Sequence, residues 1–320
     1  MRRAGYAVAA GACAAGAARL AYSAMSRRPP GGPKAWSRTN HRGEPVTLLE
    51  GPAVAAGALA GVLAQAGLAQ AGLVPASGSP GASGSAGWRR AAAMVLGGTG
   101  AAAFGAYDDL AGSGDRRGFR GHLGALRQGE VTTGAVKLGG IGVTGVVSAA
   151  LAGGSPADVI LNAGLVAGGA NLLNLFDLRP GRAIKVAAAS GVLLGAAGQD
   201  SVAAPLGAAL ALLPEDLGER AMLGDAGANA LGAMLGASAA GLSRPARIAL
   251  LAGIAGLTAA SEKVSFTKVI ARTPVLNWLD MLGRRPAPQT EPSGTEPSGT
   301  EPPSPQPPVT IPAQRPESGG

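Results

Sequence analysis

Asp108-Asp109, Asp177 and Asp225 each stand where a long apolar run gives way to polar sequence. Carboxylates placed there are expensive unless they serve a metal, a proton pathway or a reaction. Neighbouring aspartates cannot point the same way along a helix, so one can ligate a cation while the other orients a group or accepts a proton. Hard oxygen ligands suit Mg²⁺, which binds through one or two carboxylates together with substrate phosphates. Asn171, Asn174 and Asp177 recur at three-residue intervals, putting three oxygen-bearing side chains on broadly one helix face. Gly224-Asp225-Ala226-Gly227 opens a further run, where glycines permit close backbone approach and helix N-terminal amides favour phosphate. Each cluster also has a plainer use, as a helix cap or as polar glue between membrane helices. The chemistry therefore depends on all three lying on one side of one bilayer.

Composition gives the elements that must position them. The 320 residues are 14% charged and 47% hydrophobic, against about 25% charged in a soluble domain. Runs such as Gly134 to Leu151 and Val159 to Leu175 show no polar stripe at helical spacing, which argues against a soluble bundle. Glycine, 53 residues, is abundant within the runs, as close packing of membrane helices requires. Cys13 is the only cysteine, and His41 and His122 are the only histidines, so an intramolecular disulfide and thiolate or histidine-rich metal clusters are excluded. The net charge of +8 fits basic cytoplasmic loops rather than nucleic acid.

The expected fold is all-α, a polytopic transmembrane bundle of about nine spans. These fall near 4–25, 52–74, 91–107, 136–152, 158–175, 183–197, 201–213, 227–242 and 246–261. Basic loops (Arg27 to Arg42, Arg116 to Arg127, Arg179 to Lys185) alternate with the uncharged segments 75–87 and 153–157. This puts the N-terminus outside and the C-terminus in the cytoplasm. The basic segment after residue 25 favours a retained first span over a cleaved signal peptide. Counting the short sixth and seventh runs separately brings all three acidic clusters to the cytoplasmic face; merging them would send Asp225 outside. Residues 1–285 form the membrane-embedded domain. From Pro286 to Gly320 a Thr-Glu-Pro-Ser-Gly repeat and abundant proline predict a disordered cytoplasmic tail.

Over roughly residues 36–285 the motifs, in this order, resemble the polyprenyl-phosphate sugar-1-phosphate transferases, the superfamily that includes phospho-N-acetylmuramoyl-pentapeptide transferase. Its aspartate pair falls on Asp108 and Asp109, its Asn-x-x-Asn-x-x-Asp element on Asn171, Asn174 and Asp177, and its Gly-Asp-x-Gly element on Gly224, Asp225 and Gly227. Thr39-Asn40 and Gly43 are similar to its first cytoplasmic loop, and Lys137 to its lysine after the aspartate pair. The resemblance implies Mg²⁺-dependent transfer of a sugar-1-phosphate from a nucleotide diphosphate sugar, UDP-linked, to polyprenyl phosphate at the cell membrane. It implies Asp108, Asp109 and Asp177 as catalytic, Asp225 and Asp177 as metal ligands, and Asn171, Asn174, Lys137, Gly224 and Gly227 as substrate-binding residues. Arg120 joins the last group on charge alone. A homodimer is compatible with this reading, and nucleic acid is not a partner.

The chain also departs from the family pattern. After Asp177 it has Leu178-Arg179-Pro180-Gly181 where Gly-x-Asp-Gly is usual, so a second acidic position is Pro180. Leu223 replaces a methionine, the 118–137 linker is longer and more basic, and Glu262 to Lys268 stands in place of a histidine-rich or basic loop. A catalytically degenerate lipid-phosphate binder or scaffold of envelope assembly is therefore the alternative expectation.

Overall fold

Alanine, the strongest helix former, dominates the apolar runs, and cap residues bound several of them. Thr132 accepts from the Ala135 amide, while Ser155 and Asp158 form a reciprocal capping box with Pro156 at the first helical position. The computed structural model describes residues 2–71, 84–112, 124–125 and 127–286 and is almost entirely helical. In order it contains α1 (Arg2–Arg27), α2 (Pro33–Trp36), β1 (Ser37–Thr39), β2 (Pro45–Thr47), α3 (Glu50–Gln70), α4 (Gly84–Ala111) and α5 (Thr133–Ala152). These are followed by α6 (Pro156–Phe176), α7 (Arg182–Ala196), α8 (Ala203–Leu217), α9 (Gly224–Ala239), α10 (Arg244–Ser261), α11 (Phe266–Arg272) and α12 (Pro274–Met281). The all-α expectation holds, with one small addition: β1 and β2 pair antiparallel, Arg38 opposite Val46. Residues Met1–Arg285 cluster as one unit, and the tail expected to be disordered lies outside the described residues.

All nine expected apolar runs coincide with helices, α1 and α3 to α10. Among the described residues three helices are long and apolar enough to cross a membrane: Glu50–Gln70, Thr133–Ala152 and Pro156–Phe176. A fourth is added if α10 and α11, bent by 95° at their junction, count as one broken span.

The centre of the fold is α9, buried along nearly its whole length and packed against α3, α4 and α6. Contacts this close need small residues at the crossing. A Cβ on Gly232 would collide with the Gly169 carbonyl, and its absence lets α9 and α6 touch backbone to backbone. At its N-terminal end α9 meets α3 the same way, where a Cβ on Gly227 would run into Gly51.

The sixth and seventh runs are separate helices. A turn at Gly198 and Gln199 and a 3-10 segment, Asp200–Val202, divide α7 from α8. Gly191 lies against Leu206 and Gly181 against Leu217, so the two helices turn back on each other. Through this reversal the chain returns Asp225 to the end of the bundle where α4 finishes.

Candidate functional site

The end of α4, the start of α5, the C-terminus of α6 and the N-terminus of α9 meet in one place. Asp108 and Asp109 occupy the last turn of α4 and point apart, as neighbours on a helix must. Asp108 Oδ2 lies 2.6 Å from Lys137 Nζ, and the same ammonium makes a short contact with Asp225. Asp109 turns instead to α9: its Oδ1 accepts from the Asp225 amide at 3.0 Å and its Oδ2 from the Ala226 amide at 2.9 Å. A carboxylate is thus seated on a helix N-terminus, where free amides and the helix dipole favour negative charge. Gly224, at φ 57°, makes room for that carboxylate; a Cβ there would press on both Asp109 oxygens and on Leu48. Arg38 completes the corner by donating to the Asp109 backbone carbonyl.

Asp177 caps the C-terminus of α6 and takes the Gly224 amide. Burial raises its carboxyl well above the usual range, and the nearby charges of Asp216, Asp225 and Asp109 raise it further. All three sequence clusters therefore converge. Of the polar row on α6, Asn171 reaches Thr258 of α10 at 3.4 Å. Gly224 and Gly227 act in the structure as points of close helix approach. Arg120, with Arg116, Arg117 and His122, lies outside the described residues.

Beside the cluster opens a cavity of about 410 Å³, lined by Asn40, His41, Asp177, Arg179, Pro180 and Asp216 among others. Its outer wall is the β1–β2 hairpin. Asn40 shapes the turn by accepting from the Arg42 and Glu44 amides, with Gly43 at φ 82°. Glu219 fastens this hairpin to the loop before α9: its carboxylate takes Asn40 Nδ2 and Arg42 Nε, each at 2.8 Å. Glu219 does so at φ 55°, a conformation few residues adopt unless their surroundings enforce it. Burial, aided by the Arg179 charge, lowers the pKa of His41, which favours its neutral form at the cavity edge.

Three further acidic residues, absent from the motifs, bear on the site. Glu50 is fully buried at the start of α3 with both carboxylate oxygens unpartnered, and Asp216 is 2% exposed with an unpartnered Oδ2. Glu219 is the third. A usable signal was present: Pro214-Glu215-Asp216 is a further acidic cluster where an apolar run ends. Below the cavity Arg182 makes a bidentate pair with Asp280 at 2.7 and 3.0 Å, anchoring α12 to the start of α7.

Among the described residues no group of three or more His, Cys, Asp or Glu side chains is arranged to hold a metal. The donor set still fits Mg²⁺ in its two-carboxylate mode, completed by substrate phosphates: Asp225 lies close enough to Asp177 for its charge to act there, and it already faces a cation, the Lys137 ammonium. No family model matches the chain, and no curated protein matches it.

Proposed function

We propose that this protein is an integral membrane transferase that moves a sugar-1-phosphate from a nucleotide diphosphate sugar to polyprenyl phosphate, making a precursor of cell-envelope polysaccharide or peptidoglycan. On this reading α1 and α3 to α10 cross the cell membrane, with the N-terminus outside and the acidic end of the bundle in the cytoplasm. The observation that carries the proposal is the convergence of Asp108 and Asp225 on Lys137 beside an acid-lined cavity, with Asp109 seated on the α9 amides.

In the reaction an oxygen of the lipid phosphate attacks the sugar-bearing phosphorus. A new P–O bond forms there as the pyrophosphate P–O bond breaks, and the nucleoside monophosphate leaves with that electron pair. Catalysis of this kind is mostly positioning and charge stabilisation. Asp108 orients the lipid phosphate or accepts its proton, and Lys137 exchanges its carboxylate partners for phosphate oxygens. Asp109 fixes the start of α9 so that Asp225 faces the donor, and the cavity between the hairpin and the 177–181 turn receives the nucleotide. When held by Asp225 and Asp177, Mg²⁺ supplies neutralisation of diphosphate charge.

Pro180, on the cavity wall at a position acidic in the family, favours a second reading, a lipid-phosphate binder without turnover. Thermal unfolding with MgCl₂, polyprenyl phosphate and a panel of nucleotide sugars separates the two. A transferase is stabilised by one nucleotide sugar and releases its nucleoside monophosphate. Stabilisation by the lipid alone, with no turnover across the panel, supports the binder.

A further inference from the structure

Asp216 belongs to none of the motifs, yet it occupies the wall of the donor cavity. It projects from the last turn of α8, is 2% exposed, and lines the same cavity as Asp177 and Pro180. The Gly181 amide, in the turn that contains Pro180, donates to its carboxylate. Its Oδ2 has no hydrogen-bond partner. Of the cavity's other carboxylates, Asp177 takes the Gly224 amide, and Glu219 is occupied by Asn40 and Arg42. Leaving a buried carboxylate oxygen without a donor is unfavourable, so an N–H or O–H arriving with a ligand gains more there than at a satisfied wall. The neighbouring groups, Asn40, His41 and Arg179, suit ribose hydroxyls and phosphate. Beside them Asp216 Oδ2 is a buried acceptor that no protein donor fills.

Resting on the proposed donor reading, we propose that Asp216 is the specificity residue of this cavity. Its Oδ2 accepts the ring N–H of the nucleotide base, N3–H of uracil or N1–H of guanine, so that α8 contributes the carboxylate that position 180 lacks. Cytosine and adenine present a ring acceptor at that edge, and an acceptor facing a carboxylate is repelled.

Isothermal titration of the full chain in detergent and MgCl₂ tests this with UMP, GMP, CMP, AMP and the ring-N-methylated forms of UMP and GMP. UMP or GMP should bind at least about tenfold more tightly than its methylated form and than CMP or AMP. Asp216→Leu should abolish the difference, and Asp216→Leu combined with Pro180→Asp should restore part of it. Equal binding of methylated and unmethylated nucleotide by the wild type overturns the assignment, and needs no variant to fold. Discrimination that survives in a folded Asp216→Leu protein also overturns it while leaving the donor reading intact. Absence of any nucleotide binding by the wild type overturns the donor reading and this inference with it.

Discussion

Where α4, α5, α6 and α9 meet around Lys137, carboxylates outnumber the groups that satisfy them; at the opposite ends of the same helices, charge is spent locally. There Asp158 closes the capping box of α6 and accepts Arg247 Nη2 at 2.9 Å, while Arg247 Nη1 reaches Asn162 at the same distance. Arg89 caps α5 by donating to the Leu151 carbonyl at 3.0 Å. A cavity of about 270 Å³ opens at this end too, with Asn162 and Arg247 on its wall. There Asp158 has a helix cap and an arginine to account for it. At the Lys137 end, Glu50 and Asp216 keep buried oxygens with no partner, and one ammonium serves two aspartates. At the far end the buried atom without a partner is a single nitrogen, Arg247 Nε, so the unsatisfied carboxyl oxygens, each a cost to stability, gather beside Lys137.

The widest separation between the two ends is expected in turnover. Asp225→Asn should reduce nucleoside monophosphate release by about 10²–10³-fold, the usual scale for losing one preorganised electrostatic group, while the protein stays monodisperse in detergent. At the far end Arg247→Met should leave turnover within about twofold and lower the melting temperature by roughly 2–4 °C per kcal/mol lost. If the Arg247 variant loses activity as Asp225→Asn does, the two ends are not functionally distinct.

Glu50→Gln sharpens the contrast from the stability side. Replacing a fully buried carboxyl whose oxygens lack partners should raise the melting temperature by a few degrees, roughly 2–4 °C, when measured by differential scanning fluorimetry. A fall in melting temperature would mean that Glu50 is held by interactions the fold does need. Smallest of all is Gly253→Ala on α10: a Cβ there meets nothing within 4 Å, and the same assay should show only the slight rise, about 0.5–1 kcal/mol, that alanine brings to a helix interior. By contrast Gly232→Leu, forced against the Gly169 carbonyl, should cost more than the roughly 1–3 kcal/mol of ordinary overpacking and show as loss of monodisperse protein.

The sequence made the helices legible because apolar length and alanine content depend on local residues. It also made the convergence of Asp108-Asp109, Asp177 and Asp225 legible, because basic loops alternate with neutral ones and the motifs recur in order. The separate sixth and seventh helices followed from the same count, and the reversal between α7 and α8 bears it out. Other features depend on contacts across long separations. Asp109 on the amides of α9 joins residues 116 and 117 positions apart. The grip of Glu219 on Asn40 spans 179 positions, and no periodicity announces it. Gly224 gives room to the Asp109 carboxylate and Gly227 to Gly51 of α3, close approaches that glycine spacing alone does not single out. Asp216 was visible as an acid at a run end but matched no motif, and its meaning came only from the cavity it shares with Pro180.

The central claim is that the Lys137 end performs phosphosugar transfer, and following a radiolabelled β-phosphate tests it most directly. Purified protein is incubated with MgCl₂, polyprenyl phosphate and nucleotide sugars labelled at the sugar-bearing phosphate. The account predicts that label from one of them enters the organic, lipid-linked fraction, that unlabelled nucleoside monophosphate appears in equal amount, and that Asp109→Asn and Asp225→Asn abolish both. Label that stays aqueous with every nucleotide sugar, from protein that still binds polyprenyl phosphate, would contradict it.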